Sequence, residues 1–324
     1  MTARVPAAPL AILGATSRLA MDFVIAAAPL GATFALYARR PDAVRAFLHD
    51  NGLPEGWARG TLGDLDADGE DFGREDFGGV LNFVGVGDPA KAKAMGASIF
   101  EATAASDRLA LTLLGRAPAT PYVFMSSGAV YGTGFDTPAT ADTPSCVPVN
   151  RLGPQDYYSV AKLHAEAVHR SCEGRTIIDV RIFNYISRRL DPSARFFVTD
   201  MIRAIREDAV FETADVPMFR DFLAPEDFRD LLLACLAAPH GTNTPVDAYS
   251  RAPIGKRELL DLMADKFGLR YRFTGGGNTV NATGAKPFYF SENRAASSLG
   301  FAPRLSSADA IRSEVGAMLS LVPA

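Results

Sequence analysis

Short runs of apolar residues recur through the first half of the chain, and each is followed by a longer segment with apolar residues at helical spacing. The runs cover residues 9–13, 33–38, 80–84, 122–126 and 176–183. This alternation is typical of βαβ units, in which crossover helices join parallel strands. The pattern predicts an α/β fold with a doubly wound parallel sheet and helices on both faces.

The pattern becomes weaker after Asn184. We predict one long helix over about 89–115, another over 157–172, and shorter helices near 198–207 and 306–319. The glycines at 275–277 follow a strand-like segment without the lysine of a P-loop, which indicates a loop. The last part of the chain therefore forms a smaller C-terminal α/β domain in this prediction.

Composition excludes several classes of protein. The 324 residues are 48% hydrophobic and 22% charged, which is ordinary for a soluble globular protein. The net charge of -4 offers no general attraction to a nucleic acid polymer or an anionic membrane, and no apolar run is long enough to span a bilayer. The three cysteines are far apart, so they suggest neither a disulfide framework nor a metal site. We expect a cytoplasmic protein without a metal.

A glycine-containing turn follows the first predicted strand. At such a turn, a pyrophosphate can bind the free N–H groups of the next helix, as in the Rossmann fold. The usual motif has three glycines, whereas this chain keeps Gly14 and has Ser17 and Ala20 at the other two positions. A turn without a ligand is the alternative. The residues expected to contact the cofactor here are Gly14, Thr16, Ser17, Arg18 and Leu19.

The end of the second predicted strand distinguishes the two nicotinamide cofactors. An acidic residue there would bind the ribose of NAD, but the chain has Arg39 and Arg40. Guanidinium groups suit the 2′-phosphate of NADP, which we therefore expect in preference to NAD. A solvated pair of arginines is the alternative. Asp64 and Leu65 are expected near the adenine, although an ordinary loop aspartate fits that position almost as well.

The strongest pattern pairs a tyrosine with a lysine. Tyr158 and Lys162 are four residues apart on a predicted helix, so their side chains share one face. A nearby ammonium group lowers the pKa of a phenol, and Tyr158 can then exchange a proton with a carbonyl or alcohol oxygen. Ser127, at the end of a predicted strand, would hold that oxygen while hydride moves to or from a nicotinamide. Val84 and Ser126, at neighbouring strand ends, complete the expected cofactor contacts together with Tyr158 and Lys162.

These motifs resemble the NAD(P)-dependent epimerase/dehydratase branch of the extended short-chain dehydrogenase/reductases. The resemblance lies in S-S-G-A-V-Y-G at 126–132, Y-S-V-A-K at 158–162, R-I-F-N at 181–184 and R-D-F-L at 220–223. It implies that Ser127, Tyr158 and Lys162 are catalytic. It also implies that the substrate is a nucleotide sugar and that Ser127, Asn184 and Arg220 contact it. A turn cap and a surface ion pair are the alternatives for Asn184 and Arg220.

The resemblance also implies a division into domains and a mode of assembly. Residues 1–185 and about 222–250 would form an NADP-binding Rossmann domain, and residues 186–221 and 251–324 would form the substrate-binding domain. Relatives often pair as homodimers through two long helices, which here would be those predicted over 89–115 and 157–172.

One departure from the family pattern argues against sugar dehydration. Family members that dehydrate a sugar have an Asp-Glu pair after the catalytic serine or threonine, whereas this chain has Gly128 and Ala129. A 4,6-dehydratase is therefore disfavoured. The leading hypothesis is an NADPH-dependent reductase of a keto-sugar nucleotide. The alternatives are a nucleotide-sugar epimerase and a non-catalytic protein that senses NADP.

Two histidines lie on the same predicted helix as Lys162. His164 and His169 are five residues apart, which does not place both on one helix face. We therefore expect solvated side chains and no metal ligands.

Overall fold

The computed structural model describes residues 5–61, 76–86, 89–132, 134–275 and 286–320. Its strands, numbered along the chain, are β1 (Leu10–Leu13), β2 (Phe34–Tyr37), β3 (Ala58–Gly60), β4 (Gly79–Asn82), β5 (Tyr122–Ser127), β6 (Ile177–Ile182), β7 (Asn184–Tyr185), β8 (Val210–Ala214), β9 (Phe219–Arg220), β10 (Phe222–Leu223), β11 (Asn243–Asp247), β12 (Ile254–Gly255), β13 (Arg270–Thr274) and β14 (Phe288–Tyr289). Its α-helices are α1 (Arg18–Ala27), α2 (Pro41–Asp50), α3 (Pro89–Met95), α4 (Ser98–Arg116), α5 (Tyr157–Arg170), α6 (Phe197–Arg206), α7 (Pro225–Leu236), α8 (Lys256–Phe267) and α9 (Ser307–Ser320).

The central sheet has seven parallel strands in the order β3-β2-β1-β4-β5-β6-β11. Side chains alternate between its faces, so Leu10 and Ile12 enter one core while Ala11 and Leu13 enter another. Helices α1 and α7 pack in the first core, and α4 and α5 pack in the second. The doubly wound Rossmann sheet predicted from the sequence is confirmed.

Strand order determines where a ligand can bind. The strand order reverses between β1 and β4: successive strands after β1 are added on one side of it, and β4 and those after it are added on the other side. β1 and β4 are therefore neighbours although two strands separate them in sequence. Because all strands are parallel, the loops after β1, β2, β4 and β5 meet at one edge. This is the edge at which open α/β sheets bind ligands.

A smaller α/β region lies beyond this edge. Its short sheets are β7 with β10, β8 with β13, and β12-β9-β14. Its core contains Met201 of α6, Leu260 of α8 and Ile311 of α9, all completely buried. The chain reaches this region after β6, returns to the Rossmann sheet through α7 and β11, and then enters it again. The domain bounds given above remain a prediction.

The helix predicted over 89–115 is two helices. Gly96 has φ +54° between α3 and α4, and a left-handed residue ends an α-helix because the next residues leave the helical path. Of the three glycines predicted to form a loop, the second and third, residues 276 and 277, lie outside the described residues. Among the helices that the structure describes, none combines the length and apolar character needed to cross a membrane.

Candidate active site

The turn after β1 is held between β2 and β4. The N–H groups of Gly14 and Ala15 both donate to the carbonyl of Tyr37, at 3.0 Å. Gly14 has φ +79°, and a Cβ added to it would lie 2.9 Å from the backbone nitrogen of Val84. Glycine is required here on both counts, because any side chain would strain the backbone and push away the segment after β4.

This turn leads into the N-terminus of α1. Ser17 is the N-cap residue, but its side chain makes no capping hydrogen bond. The first N–H groups of an α-helix have no partner within the helix, so those at Arg18 and Leu19 can bind an anion beside Thr16. This donor set fits the pyrophosphate of a dinucleotide. The Arg18 guanidinium itself lies 3.6 Å from the carboxylate of Asp191 and donates to the carbonyl of Arg189.

Arg39 and Arg40 follow β2 and are both exposed. Within the part of the chain that the structure describes, neither guanidinium forms an ion pair. Arg40 is the N-cap residue of α2. Two exposed guanidinium groups at this strand end carry the charge that a phosphate group requires. Asp64 and Leu65, predicted near the adenine, lie outside the described residues.

Ser127 and Tyr158 meet at the carboxyl end of β5. The Ser127 hydroxyl accepts a hydrogen bond of 3.2 Å from the Ala129 N–H, which begins a 3-10 turn. Burial raises the pKa of the half-buried Tyr158, and hydrogen bonding with the Ser127 side chain partly lowers it. The structure therefore brings these two hydroxyl groups together.

Lys162 lies one helical turn after Tyr158 and is 2% exposed. Its amine lies 4.2 Å from the centre of the Phe124 ring. Burial lowers the pKa of Lys162 to about 8, against the opposing effect of nearby carboxylates, first among them Asp107. Burial is the largest effect on the Tyr158 pKa, and the Lys162 amine packs over the Phe124 ring. A Cβ on Gly85 would lie 3.3 Å from this amine, so glycine lets the segment after β4 approach it.

A buried ionic network lies behind Ser127. The Ser126 hydroxyl donates to Glu166 at 2.5 Å, so that its side chain is engaged within the protein. Arg181 donates to both carboxylate oxygens of Glu166, at 3.0 and 2.6 Å, and to the Tyr131 hydroxyl at 2.9 Å. Tyr131 in turn donates to Asp247 at 2.8 Å. This network ties the helix of Tyr158 and Lys162 to β6 and β11.

The prediction of solvated histidines is correct for His164, which is exposed, and wrong for His169, which is completely buried. The two ring nitrogens of His169 lie 2.7 Å from Asp107 and 2.6 Å from Asp179. Carboxylates accept hydrogen bonds, so both nitrogens donate and the ring is an imidazolium. Burial lowers the His169 pKa, but the two carboxylates outweigh it and raise the pKa to about 9. The two carboxylates, rather than water, offset the cost of burying the His169 charge.

The two residues expected to contact substrate lie at the junction with the smaller region. Asn184 donates to the carbonyls of Asp221, at 3.4 Å, and Tyr289, at 3.2 Å. Arg220 is buried and donates to the carbonyls of Phe219, at 2.7 Å, and Lys286, at 2.8 Å. Neither arrangement matches the alternatives of a turn cap for Asn184 or a surface ion pair for Arg220.

Tyr289 connects this junction to Ser127, and sequence analysis missed it. Its hydroxyl hydrogen-bonds with Ser127, while the Arg220 guanidinium carbon lies 5.9 Å from its ring centre. Burial raises the Tyr289 pKa to about 12. No motif marks this residue, because it reaches Ser127 only through the folding of β14 onto β9.

The arrangement suits proton and hydride exchange at one carbon. A serine hydroxyl, a phenol and a buried amine lie at the sheet edge that also presents free helix N–H groups. The described residues contain no group of three or more side chains placed to hold a metal ion.

Comparisons with known proteins agree with this geometry. The model of the NAD dependent epimerase/dehydratase family matches residues 12–248. The UDP-glucose 4-epimerase of Stenotrophomonas maltophila, solved with NAD and formylated UDP-arabinopyranose, is 14% identical, with a TM-score of 0.78 over 97% of this chain and 98% of that one. The UDP-glucose 4-epimerase of Thermotoga maritima, solved with UDP-glucose, is 15% identical, with a TM-score of 0.75 over 96% and 99%.

A third similar structure is the UDP-glucuronic acid 4-epimerase of Bacillus cereus, solved with UDP-glucuronic acid and NAD. It is 14% identical, with a TM-score of 0.75 over 97% of this chain and all of that one. At these identities the structural likeness establishes the fold. No curated protein sequence matches the chain. The family match, which covers most of the chain, shows that this protein belongs to the NAD-dependent epimerase/dehydratase family and is an NAD(P)-dependent enzyme of the extended short-chain dehydrogenase/reductase type.

Proposed function

We propose that the protein is an NADPH-dependent reductase of a keto-sugar nucleotide. The observation that carries the proposal is the interaction of Ser127 with Tyr158 at the carboxyl end of β5, with the buried Lys162 one helical turn after Tyr158. The Ser127 hydroxyl would hold the keto oxygen, and the phenol of Tyr158 would donate a proton to it. The raised pKa of Tyr158 keeps that proton available at neutral pH. Lys162 would stabilise the resulting phenolate, and the bound nicotinamide would supply the hydride.

The catalytic assignment is tested by Tyr158→Phe, with Tyr157→Phe as the matched control. Tyr157 precedes it on α5 and packs its ring against Phe100, with 5.3 Å between the ring centres. Loss of general acid–base catalysis should lower kcat about 100-fold or more for Tyr158→Phe and leave Tyr157→Phe near the wild-type rate. Equal rates for the wild type and Tyr158→Phe would contradict the assignment. Absence of turnover in the wild type, with NADP still bound, would instead favour a non-catalytic NADP-sensing protein.

The choice of NADP depends on Arg39 and Arg40. Arg39→Ala should weaken NADPH binding about tenfold and NADH binding less than twofold, because only NADPH carries the 2′-phosphate. Arg45→Ala, also on this surface but paired with Asp42 at 2.6 Å, is the control. Isothermal titration with each cofactor measures both constants. Equal losses for the two cofactors would contradict the 2′-phosphate contact.

A nucleotide sugar is proposed as substrate on two grounds. Arg220 is a buried cation without a carboxylate partner among the described residues, which suits a phosphate. The similar structures from Thermotoga maritima and Bacillus cereus were solved with nucleotide sugars. Thermal shifts with UDP, dTDP, GDP and CDP would identify the nucleotide, since selective binding raises the melting temperature.

A second candidate function is a nucleotide-sugar epimerase. It is favoured by the similar structures, which are named 4-epimerases and include NAD complexes. An epimerase oxidises and then reduces the same carbon, so the cofactor is not consumed. In assays with 4-keto-sugar nucleotides and NADPH, a fall in absorbance of the reduced nicotinamide supports the reductase. Isomerisation of a UDP-sugar without net change in that absorbance supports the epimerase.

We propose a homodimer formed through α4 and α5, as in relatives that pair through two long helices, and a cytoplasmic location. Sedimentation of the purified protein tests the first, since a monomer at all concentrations would contradict it.

A further inference from the structure

Two cations flank the ring of Tyr289. The Lys286 amine lies 4.8 Å from the ring centre, and the Arg220 guanidinium carbon lies 5.9 Å from it. Arg220 also donates to the Lys286 carbonyl, so backbone and side chains fix the two residues as a pair.

Among the described residues, no carboxylate pairs with either cation. No ion pair involves Arg220 or Lys286 in the described portion of the chain, and residues 276–285, which precede Lys286, include no Asp or Glu. Burial, together with the smaller effect of the Arg220 charge, lowers the pKa of Lys286 to about 8. Burial likewise lowers the Arg220 pKa to about 10. Arg220 is buried and Lys286 is partly buried, and two adjacent cations that lose part of their hydration are costly, so an anionic ligand would stabilise this arrangement.

The Lys286 amine is linked to the catalytic residues through a series of aromatic contacts. Its amine is 5.3 Å from the Phe135 ring centre, and Phe135 packs edge-on against Phe183. The Phe183 ring fills the space beside Gly128, where an added Cβ would come within 2.4 Å of it. Gly128 directly follows Ser127. The amine therefore borders the aromatic group that surrounds the reacting position, where the sugar would lie.

We propose that Lys286 binds a carboxylate on the sugar of the substrate, while Arg220 binds a phosphate, so that the enzyme selects an acidic nucleotide sugar. This inference rests on the nucleotide-sugar function proposed above. A diphosphate could occupy both cations instead. The two arrangements share an anion on Lys286, and they differ in whether the anion belongs to the sugar or to the nucleotide.

The experiment measures the binding of matched neutral and acidic ligands by isothermal titration to the full chain with NADP bound. The probes are UDP-glucose and UDP-glucuronic acid, GDP-mannose and GDP-mannuronic acid, and dTDP-glucose and dTDP-glucuronic acid, with UDP, GDP and dTDP alone. The variant is Lys286→Met, which keeps an unbranched apolar stem against the Tyr289 and Phe135 rings. Lys266→Met, at an exposed position near the end of α8, controls for loss of a lysine.

For the nucleotide that binds, the wild type should prefer the acidic sugar about tenfold, the effect of one charge-assisted hydrogen bond. Lys286→Met should abolish this preference. Its dissociation constants for the free nucleotide and for the neutral nucleotide sugar should stay within about twofold of the wild-type values. Equal weakening of all three ligands would overturn the inference and assign Lys286 to the diphosphate. Failure of every probe to bind the wild type would instead contradict the proposed function, because the inference concerns only the difference between ligands that bind.

Discussion

Neutralising the buried His169 should make the stability of the protein less dependent on pH. The imidazolium is completely buried between Asp107 and Asp179, and its pKa of about 9 compares with an ordinary value of 6.5. A pKa that is higher in the folded state stabilises that state at low pH. The stabilisation is therefore complete below pH 6.5 and is lost as the pH rises through 9. At 1.36 kcal/mol per pKa unit, the loss amounts to about 3 kcal/mol.

The assay is urea unfolding of the wild type and His169→Gln between pH 6 and pH 9.5. The free energy of unfolding of the wild type should exceed that of the variant most at pH 6, and the difference should shrink by about 3 kcal/mol across this range. Taking the difference cancels the opposite effect of Lys162, whose lowered pKa adds stability as the pH rises above about 8. His164→Gln, on the exposed side of the same helix, is the matched control.

Proton NMR gives an independent check, because the chain has four histidines and the His169 ring resonance is the one that disappears in His169→Gln. A difference in unfolding free energy that stays constant from pH 6 to pH 9.5, or a ring that titrates near pH 6.5, would refute the buried imidazolium.

Two further predictions concern stability alone. Gly14→Ala should cost about 3 kcal/mol in urea unfolding, because it combines a left-handed φ with contact against the segment after β4. Gly31→Ala, which has φ +90° but open space around it, should cost only about 1 kcal/mol, and equal costs would contradict the role of the contact. Glu166→Gln should cost about 3 kcal/mol because it leaves the Arg181 cation poorly paired in a buried site, whereas Asp215→Asn in an exposed pair with Arg257 should cost under about 1 kcal/mol. Similar losses for these two variants would show that burial of the pair is unimportant.

The Rossmann sheet was predictable because buried parallel strands are continuous apolar runs. All four residues of Leu10–Leu13 are completely buried, and the four residues of Gly79–Asn82 are buried as well. The strands of the smaller region are not marked by continuous apolar runs. Asn184–Tyr185 and Phe219–Arg220 are two residues long, too short to show a periodicity, and their pairing depends on contacts far apart in sequence.

The candidate site was predictable where its residues have fixed spacing. Tyr158 and Lys162 are one helical turn apart, so local structure alone puts them on one face. His169 lies on the same helix, but its burial depends on carboxylates from α4 and β6, which no local pattern reveals. Spacing does not tell which way an amine points, and the Lys162 amine lies over the Phe124 ring, so the effect of Lys162 on the Tyr158 phenol stays a prediction.

The interaction of the Tyr289 and Ser127 side chains connects the smaller C-terminal region to the central sheet. The position of Ser127 on the central sheet therefore depends, through Tyr289, on a segment that comes more than 150 residues later in the chain. If Ser127 has the catalytic role proposed above, substitutions around β14 should alter turnover without touching the turn after β1, and ligand preference and turnover would then change together as the C-terminal part diverges.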